Sequence, residues 1–454
     1  MNFKERRFYR KNLREVLHTT LNPYEPGAVR IHLVPAKYRP FGADPSVVIL
    51  NGKDIIPINL SWTILLANFI KEVNSYKGGE VTEEDLEDVV EKTLDATFKV
   101  YHPKRDDMRR DLKLILQVFI EISQGKEPAV NVGQMSLAKY AHKMTAPHRM
   151  DLLVSSMTKD GNWNCNQKCL HCYAAGQPMA DVKELSTDEW KKIIDKCKKA
   201  KIPQLTFTGG EPTLRNDLVE LIAYASWFVT RLNTNGALLT EELCNKLMEA
   251  SLDSIQITFY SNNEEKHNTL VGSSNYSKTV EGIKNALNAG LAVSINTPLC
   301  KINSDYVETL KFLHSLGVKY VTCSGLIMTG NAEKDDSKVT QLSNEELYGI
   351  LEEAKKYCDD NLMEIAFTSP GWIEAEKLKS LGLNVPTCGA CLSNMAITPD
   401  GKVVPCQSWL KKEGVLGDML KDNWKKIWES QKCAKIRKNS TKLENKCPLK
   451  EGGC

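Results

Sequence analysis

The chain has 454 residues, enough for two or three domains, and its 42% hydrophobic and 26% charged content is ordinary for a globular protein. With 60 basic and 57 acidic residues the net charge is only +3, so composition points to neither a nucleic-acid nor a membrane partner. Fourteen cysteines behind an N-terminus with no apolar signal segment point to a reducing cytoplasm and to metal ligation rather than disulfides.

Residues 1 to about 30 read as a basic, irregular arm broken by Pro23, Pro26 and Gly27. From Arg30 the segments R-I-H-L-V-P and V-V-I-L-N-G-K-D-I-I-P-I-N predict short strands, with a hairpin turn at Asn51-Gly52. The apolar run from Ile58 to Ile70 is broken by polar residues and is too short to span a bilayer. With Ile64, Leu65, Phe69 and Val73 near helical spacing, the segment predicts a helix ending at Gly78-Gly79. Thr82 ahead of a cluster of acidic residues predicts an N-cap and a second helix, and a third follows over 106–123. Hairpin, helix, T-E-E-D-L and helix resemble the small winged-helix modules that accompany peptide-modifying enzymes. That resemblance implies an N-terminal domain over 1–148 whose sheet edge receives a precursor's leader as an added strand.

From Asp151 the pattern changes to strands alternating with helices. The strands read D-L-L-V-S-S-M, Q-L-T-F-T, F-V-T-R-L-N-T-N-G, S-I-Q-I-T-F-Y, A-V-S-I-N-T-P and Y-V-T-C-S-G, and Ser186 caps the first intervening helix. Repeated strand–helix units with glycine at the helix ends imply a parallel sheet. A parallel barrel carries its working residues on loops at the C-terminal strand ends. Two conspicuous loops fall there, one bearing cysteines and one reading Gly209-Gly210-Glu211-Pro212.

The cysteine loop, N-W-N-C-N-Q-K-C-L-H-C-Y from Asn162 to Tyr173, carries Cys165, Cys169 and Cys172 at the spacing C-x3-C-x2-C. Cysteines this close cannot pair with one another without strain, and thiolates in this number favour zinc or an iron–sulfur cluster. Zinc loops usually pair cysteines as C-x2-C and close with a nearby fourth ligand. Three cysteines without an equally close fourth suit a [4Fe–4S] cluster with one open iron. The triplet, followed by the aromatic Tyr173, resembles the signature of the radical S-adenosylmethionine (SAM) superfamily. The resemblance implies an α/β fold, a partial (βα)6 TIM-like barrel over 149–375. It also implies reductive cleavage of SAM to a 5′-deoxyadenosyl radical that abstracts hydrogen from an unactivated C–H bond. In that scheme Cys165, Cys169 and Cys172 hold the cluster, beside Tyr173, and the methionine amino group is received by Gly209, Gly210 and Glu211. The two glycines are expected to let the backbone approach the ligand closely. Asn233, with Asn235 beyond it, and Thr258 are the further SAM contacts, although T-F-Y-S departs from the family's Ser-Leu-Asp-Gly. His267, in H-N-T-L-V-G, reads as a satisfied structural histidine.

A second set of cysteines follows: Cys388, Cys391, Cys406, Cys433, Cys447 and Cys454. Cys391 to Cys406 reads C-x9-G-x4-C, with Pro399-Asp400-Gly401 as a turn between two strands. That resembles the SPASM extension of radical SAM maturases and implies an auxiliary cluster domain over 376–454. Cys388, Cys391, Cys406 and Cys454 would complete one [4Fe–4S] set. Cys433 and Cys447 are too few for a second, which is either absent or cut short, and Cys433 reads as a half-buried thiol. Cys197, Cys244, Cys300, Cys323 and Cys358 fall in helix or strand patterns and read as core. Gln407 stands where sulfatase-maturing relatives carry an acid, which disfavours that activity. The resemblance implies an enzyme modifying a ribosomally made precursor peptide, with its leader and an external one-electron reductant such as flavodoxin or ferredoxin as partners. The alternatives are a SPASM-type enzyme of cofactor or haem biosynthesis acting on a small molecule, and a non-catalytic cluster-binding or redox-sensing protein.

Overall fold

The computed structural model describes residues 3–13, 15–21, 29–35, 46–52, 54–76, 82–123, 126, 128, 130, 135, 136, 140, 141, 144–443 and 445–451. The chain divides into two compact units, Met1–Met144 and Thr145–Cys454. Among the described residues no helix is long and apolar enough to cross a membrane.

The first unit is a four-stranded antiparallel sheet of β1 (Leu17–Leu21), β2 (Val29–Val34), β3 (Ser46–Leu50) and β4 (Asp54–Ile58), in that order, preceded by helix α1 (Phe3–Asn12). The expectation of an irregular arm is therefore corrected. A helix forms over Phe3–Asn12, and β1 forms through its ladder to β2, a non-local partner that composition cannot reveal. The expected hairpin joins β3 to β4, with Asn51 and Gly52 both left-handed at φ 48° and 68°, as a turn matched to strand twist requires. Pro23, Pro26, Gly27 and the expected helix end at Gly78-Gly79 lie outside the described residues. Helices α2 (Leu60–Ser75), α3 (Glu83–Phe98) and α4 (Arg105–Ser123) follow. Thr82 caps α3 in a reciprocal box with Asp85. Ile31, Leu33 and Val48 of the sheet bury against Leu65 and Phe69 of α2 and Ile115 and Phe119 of α4.

The second unit is built on a ten-stranded sheet. In chain order its strands are β5 (Arg149–Ser155), β6 (Gln204–Gly209), β7 (Val229–Thr234), β8 (Ser254–Thr258), β9 (Val293–Pro298), β10 (Tyr320–Ser324), β11 (Glu364–Phe367), β12 (Asn394–Ile397), β13 (Lys402–Val404) and β14 (Gly417–Asp418). In space they run β11-β10-β9-β8-β7-β6-β5-β12-β13-β14. Strands β5 to β11 pair in parallel, each with the next, and β12 adds in parallel to the outer side of β5. Only β13 and β14 are antiparallel. The sheet thus exceeds the six expected strands. Glu364–Phe367 is too short and too exposed to announce itself, and β12 comes from the segment carrying the later cysteines. The barrel sheet therefore runs without a break into the cysteine-bearing C-terminal segment.

Strand alternation sorts the side chains onto two faces. Ile255 and Ile257 of β8 are fully buried, while Ser254, Gln256 and Thr258 alternate with them and are half-buried on the concave face. The same alternation leaves Arg231 and Asn233 of β7 and Ser294 and Asn296 of β9 on that face. These positions make the concave lining of β7 to β9 polar.

Candidate active site

The backbone of the cysteine loop is held from two sides, through its N–H groups on one and its carbonyls on the other. Helices α5 (Thr187–Ala200), α6 (Leu218–Tyr224), α7 (Glu241–Glu249) and α8 (Glu264–Val271) alternate with the barrel strands, and on one side of the loop α8 presents its C-terminal end. Lys168 and Leu170 donate their N–H groups to the carbonyls of Val271 and Leu270, each at 2.9 Å. Gly272 ends this helix in the left-handed conformation, φ 59°, and a Cβ there would stand 2.4 Å from the Lys168 carbonyl. On the other side, the segment from Thr329 to Ser337 fixes the loop. Asn331 donates to the Cys172 and Cys169 carbonyls at 2.9 and 3.1 Å, and Ser337 donates to the Leu170 carbonyl at 2.9 Å. Gly330, at φ 62°, lies so close that a Cβ would meet the carbonyls of Cys172 and Tyr173 at 2.6 and 2.5 Å. The H-N-T-L-V-G and Thr329–Ser337 contributions are what sequence reading missed. The glycine of the first was a signal; the second had none.

The three thiols lie in one another's electrostatic field. Burial pushes Cys165 up to about 12, reinforced by Glu211 and Cys172. Burial raises Cys169 well above the ordinary thiol range, with Cys172 and Cys165 adding to it, and Cys172 is raised by burial as well. Thiols so placed stay protonated unless a positive group binds them. Tyr173 packs beside Cys165 and Cys172 against Leu153 and Met157, and its carbonyl accepts from Gln177 at 2.6 Å.

The Gly-Gly-Glu-Pro turn leaves β6 directly opposite this loop, and the Gly210 carbonyl is 3.5 Å from Cys165 Sγ. Its glycines are also required by packing. Gly209, at φ 136°, has no room for a Cβ, which would fall 2.4 Å from the Ser155 carbonyl, and at Gly210 it would meet the Ser156 carbonyl at 2.9 Å. Close packing on the end of β5 demands them. Glu211 is 1% exposed, and burial raises its pKa against the opposing effect of its donors. Its Oε1 accepts from Thr213 N and Oγ1 and Thr234 Oγ1 at 3.0, 2.6 and 2.6 Å, while Oε2 accepts from Asn235 N at 2.8 Å. One site for a further donor therefore remains on Oε2.

Asn235, rather than Asn233, is the β7 asparagine brought to the cysteine loop: its Nδ2 donates to Asn166 Oδ1 at 2.5 Å. Asn233 lies two residues lower on the concave face, and its Oδ1 has no hydrogen-bond partner. Thr258 is half-buried on the same face. His267 is fully buried against Phe259 and Tyr276, accepts weakly from Tyr260 N at 3.4 Å, and is lowered to about 4 by burial. The five cysteines read as core are all fully buried.

The C-terminal cysteines gather as well. Cys406 is pushed up to about 12 by burial and by the fields of Cys388 and Cys447. Cys391, left-handed at φ 54°, is raised chiefly by a hydrogen bond with Cys433 and also feels Cys406. The reading of Cys433 as half-buried is corrected. It is fully buried in helix Gln431–Ser440, lowered by its bond with Cys391, and Arg437 Nη1 donates to its sulfur at 3.5 Å. Arg437 in turn stacks 3.8 Å above the Trp428 ring. Cys454 lies outside the described residues. Gln407 beside Cys406 has a buried, unpartnered Oε1.

Residues 164–313 match the model of the radical SAM superfamily, and residues 388–451 match that of an iron–sulfur cluster-binding domain, SPASM. The chain thus carries a radical SAM domain followed by an iron–sulfur cluster-binding SPASM domain. Among curated relatives, the AdoMet-dependent heme synthase of Methanosarcina barkeri is 27% identical over 304 residues, 63% of this chain and 85% of that protein. The PqqA peptide cyclase of Bradyrhizobium diazoefficiens is 26% identical over 306 residues, 64% and 78% of the two chains. Among solved structures, Streptococcus suis SuiB bound to its precursor peptide SuiA aligns with a TM-score of 0.58 at 15% identity, over 90% of this chain and 92% of that one. That likeness is one of fold.

The chain is thus a radical SAM enzyme with a SPASM domain, and its cofactors are [4Fe–4S] clusters and SAM. The residues fit them. Three thiols on one loop, raised by burial and by one another, are a donor set awaiting a cationic cluster.

Proposed function

We propose that this radical SAM enzyme modifies a ribosomally made precursor peptide, with the leader held by the first unit and the reaction carried out in the barrel of the second. The observation that carries this reading is the separate N-terminal sheet, which among the described residues ends in strand β1; the His18 carbonyl there accepts from Asn74 Nδ2 at 2.7 Å, and the rest of β1 is where an added strand would pair. The opposite edge is met at Ile55, whose carbonyl accepts from Met135 N at 2.9 Å. The peptide reading is also supported by the PqqA peptide cyclase relative.

In this reading Cys165, Cys169 and Cys172 hold the cluster that cleaves SAM, and the bound cofactors supply the hydrogen-abstracting radical. The protein's own residues position and exclude water. Glu211 ties β6 to the end of β7 through Thr234 and Asn235, and its remaining Oε2 site would receive the methionine amino group. Asn233 and Thr258 lie lower on the concave face, where they would contact SAM or substrate. Tyr173 seals the loop against the barrel wall. Cys388, Cys391 and Cys406 hold an auxiliary cluster, with Cys433, Cys447 and Cys454 as the further ligands on offer.

The test is anaerobic reconstitution with SAM, dithionite and the peptide encoded by a short reading frame beside the gene. We expect 5′-deoxyadenosine together with a mass change in the peptide, both lost in Cys165→Ala. A protein that consumes SAM without touching or binding the peptide would refute the reading. A second reading, modification of a tetrapyrrole, is favoured by the heme synthase relative and is distinguished by supplying iron coproporphyrin III in place of the peptide.

A further inference from the structure

On the concave face, near the strand ends remote from the cysteine loop, three charged side chains meet. The register aligns Asp151 of β5 with Thr206 of β6, and Thr206 with Arg231 of β7, so these lie in one row. Arg149 Nε stands 2.8 Å from Asp151 Oδ1, and its Nη2 donates to Oδ2 at 3.3 Å. The Asp151 carboxylate, 1% exposed, is thereby engaged by Arg149. Arg231 is left with a neutral partner, donating through Nη2 to Ser294 Oγ at 3.2 Å. Its Nε is buried and has no acceptor, and the neighbouring Thr206 Oγ1 and Asn233 Oδ1 are buried without partners too. Two guanidiniums and one carboxylate leave this row with a net charge of +1. Burial and the like charge of Arg149 lower Arg231 from 12.5 to about 10, with the Asp151 carboxylate opposing them, so it stays charged at neutral pH. Two buried guanidiniums sharing one carboxylate are under-compensated, and a ligand that brings a further negative charge offsets part of that cost.

We propose that Arg231, backed by Arg149, binds a carboxylate of the substrate. The inference rests on the reading above in one respect, that the barrel receives the substrate. From Arg231 to Asn235 is four residues of extended chain, about 13 Å at 3.3 Å per residue. The recognised carboxylate is therefore remote from the carbon that reacts, and Arg231 is a specificity-determining residue rather than a catalytic one. A peptide supplies such a group as an Asp or Glu side chain or its C-terminus; a tetrapyrrole supplies it as a propionate.

The first experiment needs no knowledge of the substrate. Thermal melting of the reconstituted enzyme is followed with glutarate and with its neutral diamide, glutaramide. Glutarate should raise the melting temperature more than glutaramide, and the difference should vanish in Arg231→Gln and in Arg231→Met while Arg231→Lys keeps part of it. Equal effects of the two compounds on the wild-type enzyme overturn the proposal, whatever the variants do. The second experiment identifies the source, using the peptide encoded beside the gene, the same peptide with its acids changed to amides, and iron coproporphyrin III. For the true substrate, Arg231→Gln should raise KM about 10- to 150-fold, the loss of one charge-assisted hydrogen bond, with a smaller change in kcat. Peptide turnover with the same KM in wild type and Arg231→Gln overturns the inference and leaves the peptide reading standing. An effect confined to the tetrapyrrole overturns the peptide reading and leaves the carboxylate site standing.

Discussion

Glu211 and Cys433 are the two residues whose surroundings bear most on the chemistry. Glu211 satisfies four donors from Thr213, Thr234 and Asn235 while buried, so its removal strands them. Glu211→Ala is expected to lower stability by about 2–4 kcal/mol in urea unfolding, given about 1–3 kcal/mol for each buried polar group left unsatisfied and partial relaxation of the rest. Glu211→Gln, which keeps the shape, should cost less and still depress 5′-deoxyadenosine formation. Cys433 lies against Cys391 with a guanidinium at its sulfur, an arrangement fit for a thiolate ligand. Iron analysis of Cys433→Ala should fall by about four per chain, one [4Fe–4S] cluster, while the spectrum of the SAM-binding cluster persists. Unchanged iron would return Cys433 to the status of a core thiol. The types and spacing of Cys165, Cys169 and Cys172 were readable in one dimension. The contact of Cys433 with Cys391 was not, because 41 intervening residues fold between them.

At the scale of the element, the cysteine loop has no regular structure of its own and borrows rigidity from the end of α8 and from the Thr329–Ser337 segment. The two glycines at those contacts, Gly272 and Gly330, are left-handed and abut loop carbonyls. Alanine at either site meets both a strained backbone and a carbonyl collision. Each substitution is expected to cost about 1–3 kcal/mol. Each should also reduce the iron retained by the first cluster, measurable as a lower 400-nm absorbance on the order of tens of per cent. Full iron loading and wild-type stability in both variants would show that the loop does not depend on them. Periodicity revealed the six principal barrel strands because each alternates or runs apolar beside a helix of regular spacing. It did not reveal β11, whose residues are half exposed, or β1, whose stability comes from β2.

For the whole molecule, stability should depend on pH through its buried histidines. His148, His171 and His267 are each lowered by burial from about 6.5 to about 4. A folded-state pKa below the unfolded one means that the unfolded chain takes up protons first as pH falls. Their contribution is complete above about pH 6.5 and is lost as pH drops towards 4. The melting temperature should therefore decline steeply over that interval, and His267→Phe should make the decline shallower. A flat profile from pH 6.5 to 4 would contradict the burial of these rings. What the amino-acid sequence determined alone was local chemistry: the cysteine triplet, the Gly-Gly-Glu-Pro turn, the alternating strands and the capping residues act through neighbours a few positions away, and short-range patterns record them. What only the tertiary structure decided was convergence. Which asparagine reaches the cysteine loop, why Gly209 must be glycine, where Cys433 lies and how Arg231 comes to be a buried cation depend on strand order and register, which bring together residues that no local spacing relates.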